Sequence, residues 1–495
     1  MLSLGYDVGS SSIKASIIDI ETGKLVACDF YPKEEMKIHS PKPGWAEQDP
    51  ESWWEYIKIL TKNIIKESKI DKKDIKCIGI SYQMHGLVIV DENQKSIRPS
   101  IIWCDSRAVE IGNKAFNELG SQNCLKNLLN SPGNFTASKL RWVKENEPEN
   151  FKKINKFMLP GDFIGMKLTG DIVTTFSGLS EGIFWNFNDK SISKEILSYF
   201  EFNESLFPAV MPTFAAHGKL SKSAADDLGM VEGTVVSYRA GDQPNNAFSL
   251  NVLNAGEIAA TAGTSGVVYG VIDKVNYDPQ SRVNPFIHVN NTKEQDRLGV
   301  LLCISGTGIL NSWARKNFGN GISYNEMNSL AEKIEPGSNG ISVLPFGNGA
   351  ERIFENRTIG CQFIGIDFNR HTNAHIFRAL QEGIAFSFKY GIDIMKEMGM
   401  DIKIIRAGKT NMFLSPVFSQ TLANITGASI ELYDTDGSQG AARGAAYGAG
   451  YYKSFNEAFK SLNKTGEINP AETEKESHQE AYKLWLSKLN NVLKN

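Results

Sequence analysis

The chain lacks several features that would announce a function by themselves. Its 495 residues hold six cysteines, Cys28, Cys77, Cys104, Cys124, Cys303 and Cys361, scattered and never in a CxxC pair. Several lie in apolar strand-like runs, where cysteine behaves as a small hydrophobe. Neither zinc ligation nor a disulfide framework is expected, and a reducing cytoplasm is. No apolar run approaches the roughly 18–20 residues that span a bilayer, so no membrane partner is expected. The N-terminus enters a strand pattern with no basic and apolar leader regions, and a secretory signal is not expected. A formal net charge of −3 gives no electrostatic reason for nucleic acid as a partner. No low-complexity linker breaks the chain, and no GxGxxG stands in a dinucleotide-binding context. Gly408-Lys409-Thr410 mimics the end of a Walker loop but lacks its first glycine, because Ile404–Arg406 stand before it.

What is present reads as a globular protein of two to four domains, 41% hydrophobic and 22% charged. Ser3–Val8 predicts a short buried strand, followed by a Gly-Ser turn and a second strand with Ile13, Ala15 and Ile17. Glu21-Thr22-Gly23-Lys24 turns the chain into a third. Asp49-Pro50 predicts a helix start, and Trp53, Ile57, Leu60 and Ile64 give that helix one buried face. Cys77–Tyr82 and Leu87–Val90 predict strands. The second half repeats the plan, with strands predicted at Glu257–Ala262, Val267–Ile272, Leu298–Ile304, Ile404–Ala407 and Ile430–Tyr433 and helices between them. The alternation predicts an α/β protein of two related domains with mixed sheets flanked by helices and an interdomain cleft. The domains are expected at 1–250 and 251–495.

Two loops half a chain apart resemble copies of one device: Gly5-Tyr6-Asp7-Val8-Gly9-Ser10-Ser11-Ser12 and Thr261-Ala262-Gly263-Thr264-Ser265-Gly266. Each joins two strands and is rich in glycine and hydroxyls, which lets backbone N–H groups approach an anion. Two such loops would grip one polyphosphate from both sides. Asp7, ending a buried strand, suits a divalent cation, since magnesium takes one or two carboxylates plus phosphate oxygens; the alternative is an aspartate that only caps local N–H groups. Asp242, in Gly241-Asp242-Gln243, suits a base that accepts the proton of an attacking hydroxyl, or else it is a turn residue. Gln83-Met84-His85-Gly86 ends a strand beside a glycine, as a polyol contact would, although a lone histidine is commonly structural. Trp103-Cys104-Asp105-Ser106-Arg107 offers an aromatic face, an acid and a base, the mixture of a sugar site; the duller reading is an Asp105–Arg107 ion pair beside a core tryptophan. Ala407-Gly408-Lys409-Thr410-Asn411 follows a strand and precedes a helix, where a nucleotide can rest. The Gly437–Gly450 segment predicts a helix packed closely against a sheet or ligand.

Taken together these motifs resemble the FGGY carbohydrate kinases of the actin-like ATPase superfamily. The resemblance runs from Tyr6-Asp7-Val8-Gly9 through Trp45-Ala46-Glu47-Gln48-Asp49-Pro50, Gln83-Met84-His85-Gly86, Leu159-Pro160-Gly161-Asp162 and Gly241-Asp242 to Gly263-Thr264-Ser265-Gly266, Glu351-Arg352 and Arg378 to Gly383. It implies two actin-like (ribonuclease-H-like) domains and ATP and Mg²⁺ as cofactors. The Met-His-Gly triplet resembles the branch that phosphorylates D-xylulose at the 5-hydroxyl, giving D-xylulose 5-phosphate and ADP. By this likeness Asp242 is the general base and Asp7 organises Mg²⁺, with Asp242 beside it. Met84, His85, Gly86, Trp103, Asp105 and Gln243 lie on the sugar side. Gly9, Ser10, Ser11, Thr264, Ser265, Gly266, Trp313, Ala407, Gly408 and Asn411 lie on the nucleotide side. Ala407-Gly408 departs from the family's usual Gly-Gly pair. A homodimer is a family-level expectation. Another ketose or polyol, or a non-enzymatic nucleotide clamp, are the alternative readings.

Overall fold

The computed structural model describes residues 1–494 and divides into two compact units. The first comprises Met1–Asn251, Phe286–Leu298 and Thr435–Leu462; the second comprises Val252–Pro285, Gly299–Asp434 and Asn463–Asn495. The units interleave along the chain, whereas the sequence suggests one cut near residue 250.

In the first unit, β1 (Leu2–Val8), β2 (Ile13–Asp19), β3 (Leu25–Tyr31), β4 (Ile75–Tyr82), β5 (Phe214–Lys219) and β6 (Val235–Gly241) form a six-stranded mixed sheet in the order β5-β6-β4-β1-β2-β3. The pairs β1–β4 and β4–β6 are parallel, and β1–β2, β2–β3 and β5–β6 are antiparallel. The helix Pro50–Ser68 starts where its signals place it, since Asp49 accepts from the Glu51 N–H and Pro50 fills the first turn. Its apolar stripe of Trp53, Ile57, Leu60 and Ile64 is buried, and Thr61 on the same helix bonds the Tyr6 hydroxyl of β1 at 2.6 Å.

The helix Gly437–Gly448 lies on this sheet at backbone contact distance. A Cβ on Gly5 of β1 would fall 2.1 Å from the Ser438 carbonyl oxygen, and one on Gly79 of β4 would fall 2.1 Å from that of Ala441. Ser3 donates to the Ala442 carbonyl and Ser237 of β6 to that of Ala445. The expected small-residue helix therefore packs against a sheet, and the sheet is that of the first unit.

The second unit reuses the arrangement. β7 (Glu257–Ala262), β8 (Gly266–Ile272), β9 (Leu298–Ile304), β10 (Ile404–Gly408), β11 (Ser429–Tyr433) and β12 (Lys464–Ile468) stand in the order β9-β8-β7-β10-β11-β12. Here β7–β8 is an antiparallel hairpin, β7–β10 and β10–β11 are parallel, and β11–β12 is antiparallel. The helix Asn373–Glu397 supplies a long buried face including Phe377, Leu380, Ile384 and Phe388. The last helix, Glu472–Lys494, anchors through Trp485, whose Nε1 donates to the Val343 carbonyl at 2.7 Å.

Gly79→Val inserts three methyl-sized groups where the Ala441 carbonyl already stands. It is expected to cost about 1–3 kcal/mol or more, lowering the thermal midpoint by roughly 2–10 °C. A midpoint within about 1 °C of wild type would contradict this packing.

Candidate active site

Three adjacent parallel strands carry the candidate residues of the first unit. Val8 of β1 is level with Tyr82 of β4, which is level with Gly241 of β6, so the carboxyl ends of all three form one row. Asp7 stands on one side of the row and Asp242, the first residue of the helix Asp242–Ser249, on the other, about 10 Å apart across two strand spacings. Ser81, between them, donates to Asp7 Oδ1 at 2.8 Å. The helix Gly437–Gly448 brings its N-terminus to the same place: a Cβ on Gly437 would meet Asp7 Oδ2 at 2.4 Å.

Burial sets the protonation of this row. Asp242 is pushed up to about 7, first by desolvation and then by the charge of Asp7, against hydrogen bonds from Gln243. Asp7 is also raised, chiefly by burial, then by Asp436; Ser81 and Lys14 oppose the shift. A carboxylate near neutrality is poised as a base. The first turn stands beside Asp7. Gly9 N–H closes onto the Ser12 carbonyl at 3.2 Å, and Ser10 is held by Gln48 Nε2 on its carbonyl and Trp103 Nε1 on its hydroxyl. Ser11 is exposed at the tip.

His85 is held on every side. Its backbone lies in the left-handed region at φ 61°, and its ring packs edge-on to Phe135 and tilted against Phe286. Its Nδ1 lies 3.0 Å from the Glu181 carbonyl, which can only accept, so Nδ1 carries the hydrogen. Burial, with Lys139 nearby, pulls its pKa down to about 3, so the ring is neutral and Nε2 offers a lone pair. Met84 is buried against Gly241. Gln243 bonds Asp242 through its N–H and side chain.

One sugar-side expectation is corrected, in favour of the Asp105–Arg107 ion pair that was its alternative. Asp105 is fully buried; both its oxygens are taken by Arg107, with the Ala46 N–H on Oδ2 at 2.6 Å. Arg107 in turn lies 3.8 Å over the Trp45 ring. Asp105 thus braces the loop and presents no carboxylate to a substrate, while Trp103 is the member left 52% exposed. Gly86 serves close packing, since a Cβ there would meet Pro160 at 2.6 Å.

The second unit carries candidate residues of its own. Gly263 and Thr264 turn β7 into β8, and their carbonyls accept from the N–H groups of Gly308 and Ile309, which open the helix Gly308–Asn317. Thr264 and Ser265 are exposed, whereas Gly266 is buried on Phe388 and Thr307. A cavity of about 510 Å³ adjoins this turn, lined among others by Thr264, Gly308, Asn311, Asn328 and Asn411. Asn411, at φ 53°, reaches to 3.5 Å of where a Cβ on Gly263 would stand. Ala407 is fully buried within β10 and Gly408 ends that strand, so Thr410 and Asn411 carry the lining. Trp313 lines a neighbouring cavity of about 410 Å³ with Leu310 and Phe363, sharing only Ile309. Gly308, Asn311 and Asn328 went unnoticed in the sequence because single polar residues on helices carry no motif. Among the described residues no helix is long and apolar enough to cross a membrane.

Two related α/β units, one with carboxylates and a buried histidine at its strand ends and the other with a polar cavity beside a glycine-hydroxyl turn, suit a sugar-phosphorylating enzyme. Models of the FGGY family of carbohydrate kinases match residues 2–249 (N-terminal domain) and 258–452 (C-terminal domain), and the chain belongs to this family. Members of the family use ATP. The xylulose kinase of Lactococcus lactis subsp. lactis is 30% identical over 396 residues, 80% of this chain and 77% of that protein. That of Escherichia coli K12 is 28% identical over 442 residues, 89% and 87% of the two chains. The crystal structure of xylulose kinase from Rhodospirillum rubrum superposes with a TM-score of 0.88 at 22% identity, covering 100% of both chains. Plasmodium falciparum glycerol kinase with ADP gives 0.89 at 22%, covering 99% and 98%. The common fold is therefore shared by enzymes named for different substrates.

The raised Asp242 has two consequences. Activity that needs its carboxylate falls as pH drops through about 7, and Asp242→Asn removes that limb from the kcat/KM profile. Because the folded protein holds this proton more tightly than the unfolded chain, the ionised aspartate destabilises above pH 7. Asp242→Asn is accordingly expected to raise the thermal midpoint at pH 8, by an amount that shrinks toward pH 4. An unchanged midpoint at pH 8 would place Asp242 in a solvated setting.

Proposed function

We propose that this chain transfers the γ-phosphoryl group of ATP to the 5-hydroxyl of D-xylulose, yielding D-xylulose 5-phosphate and ADP. The observation that carries the reading is the row of strand ends that sets Asp242, poised near neutrality, beside Asp7 and a neutral, immobilised His85. Relatives named xylulose kinase, 27–30% identical over 80–89% of the chain, support the choice of ketose.

In this reading the first unit binds the sugar and the second the nucleotide. Phosphoryl transfer asks mainly for positioning and charge stabilisation. The Asp242 carboxylate takes the proton of the attacking hydroxyl as the new O–P bond forms and the bond to the ADP oxygen breaks. His85 Nε2, being an acceptor, receives a hydrogen bond from a sugar hydroxyl, and Trp103 gives a flat apolar surface for C–H groups. Thr264 and Asn411 bind the nucleotide. Mg²⁺ fits the first unit, because Asp7 is a carboxylate under repulsion from Asp436, and a cation there relieves it. Asp7, with Asp242 across the row, would hold the ion, which supplies charge neutralisation at the phosphates. Six scattered cysteines, none in a CxxC pair, support a reducing cytoplasm. A homodimer rests on family resemblance alone, and light scattering tests it.

The direct experiment is ADP release with D-xylulose against other ketoses, glycerol and gluconate, with and without Mg²⁺. D-xylulose is expected to give the highest kcat/KM, and preference for another polyol would replace the substrate named here. Asp242→Ala is expected to lower kcat by about 10²–10⁴ with nucleotide binding retained; near-full turnover would remove its role. Asn411→Ala is expected to raise the KM for ATP about 5–30-fold and leave that for the ketose within about two-fold, the reverse split assigning Asn411 to the sugar.

A further inference from the structure

One fully buried cation takes no part in the chemistry above. Lys139, on the helix Thr136–Asn146, is 0% exposed. Its Nζ donates to the His85 carbonyl at 2.8 Å and to the Ile102 carbonyl at 2.9 Å. Desolvation pulls the ammonium down to about 7, with the charge of Asp105 as the main counterweight. Burying an ammonium costs several kcal/mol unless its hydrogen bonds are well made, so a lysine spent on two carbonyls calls for an account.

The two carbonyls are those of the sugar-side loops. One belongs to His85 itself and the other to the residue before Trp103. His85 occupies the left-handed region, where a residue with a Cβ is strained, so the loop holds this conformation only if something outside it does the holding. The ring is fixed by Glu181, Phe135 and Phe286. The backbone is fixed from the Lys139 helix, which also donates from Thr136 to the Gly86 carbonyl at 3.3 Å.

We propose that Lys139 is a positioning residue for the acceptor sugar: its two hydrogen bonds clamp the His85 loop to the Trp103 loop and set where His85 Nε2 stands. Lys139 itself touches no substrate. The proposal rests on the ketose-kinase reading and deepens it.

The test compares wild type, Lys139→Met, Lys139→Gln, His85→Ala and the double variant Lys139→Met/His85→Ala, each checked for a cooperative melt. Steady-state kinetics are taken for D-xylulose and for ATP. Wild type without ketose turnover would overturn the functional reading, independently of Lys139. With wild type active, Lys139→Met is expected to raise the KM for D-xylulose at least about 10-fold and leave that for ATP within about two-fold. Lys139→Gln, which keeps a donor, is expected to fall between and decides the matter if the methionine variant does not fold. In the His85→Ala background the methionine substitution is expected to add less than about two-fold. A ketose KM unchanged in a folded Lys139 variant, equal rises for both substrates, or effects that multiply with His85→Ala would overturn the proposal and leave Lys139 a general staple of the fold.

Discussion

A helix can rest on a sheet at backbone distance only where the facing residues carry no side chain. Gly5 and Gly79 on the sheet meet Ser438, Ala441 and Ala442 on the helix in that way, and a single methyl group on either glycine would stand 2.1 Å from a carbonyl oxygen. This contact holds Asp436 and Gly437 against Asp7, which sits two residues beyond Gly5 on the same strand. The electrostatics of the strand-end row therefore depend on a packing contact several residues away. They also depend on a segment that returns to the first unit after most of the second has been traced.

Along that row the protein keeps ionisable groups where solvent supports them poorly. Asp7 and Asp242 are raised by burial and by neighbouring acids, and Glu181 beneath them is raised well beyond its usual range for the same reasons. His85 is driven the other way and stays neutral. One cause, desolvation, thus leaves a carboxyl group titrating near pH 7 and a neutral histidine whose Nε2 offers a lone pair. Such an arrangement lowers stability in exchange for defined protonation states, as functional sites commonly do.

The two units show one topology carrying two different sets of side chains. In both, a hairpin with a glycine-hydroxyl turn adjoins parallel strands. In the first the residues beyond the parallel strands are carboxylates and a histidine. In the second they are Thr410 and Asn411, which open onto a polar cavity beside the turn. The difference lies in the side chains at equivalent strand ends, and the backbone plan is common to both.

Much of this was legible in the sequence. Asp7, Asp242, the Met84-His85 pair and both turns lie at the ends of short apolar strands, and the 3–4 spacing from Trp53 to Ile64 needed only local chemistry to be read. The α/β alternation of both halves was legible for the same reason. Residues 109–232 were not: their helices are short, their polar residues isolated, and Lys139 and Glu181 look like ordinary helix surface until the chain buries them. For Asp105 the sequence offered both a sugar contact and an ion pair with Arg107, and it could not choose, because whether a carboxylate faces a ligand or an arginine depends on what folds over it. Pattern and spacing by themselves determined the two-part α/β plan, the turns and the placing of Asp7 and Asp242 at strand ends, since these follow from periodicity and backbone freedom. Only the tertiary structure decided which side chains lost their water, and desolvation is what raises Asp242, keeps His85 neutral and lowers Lys139.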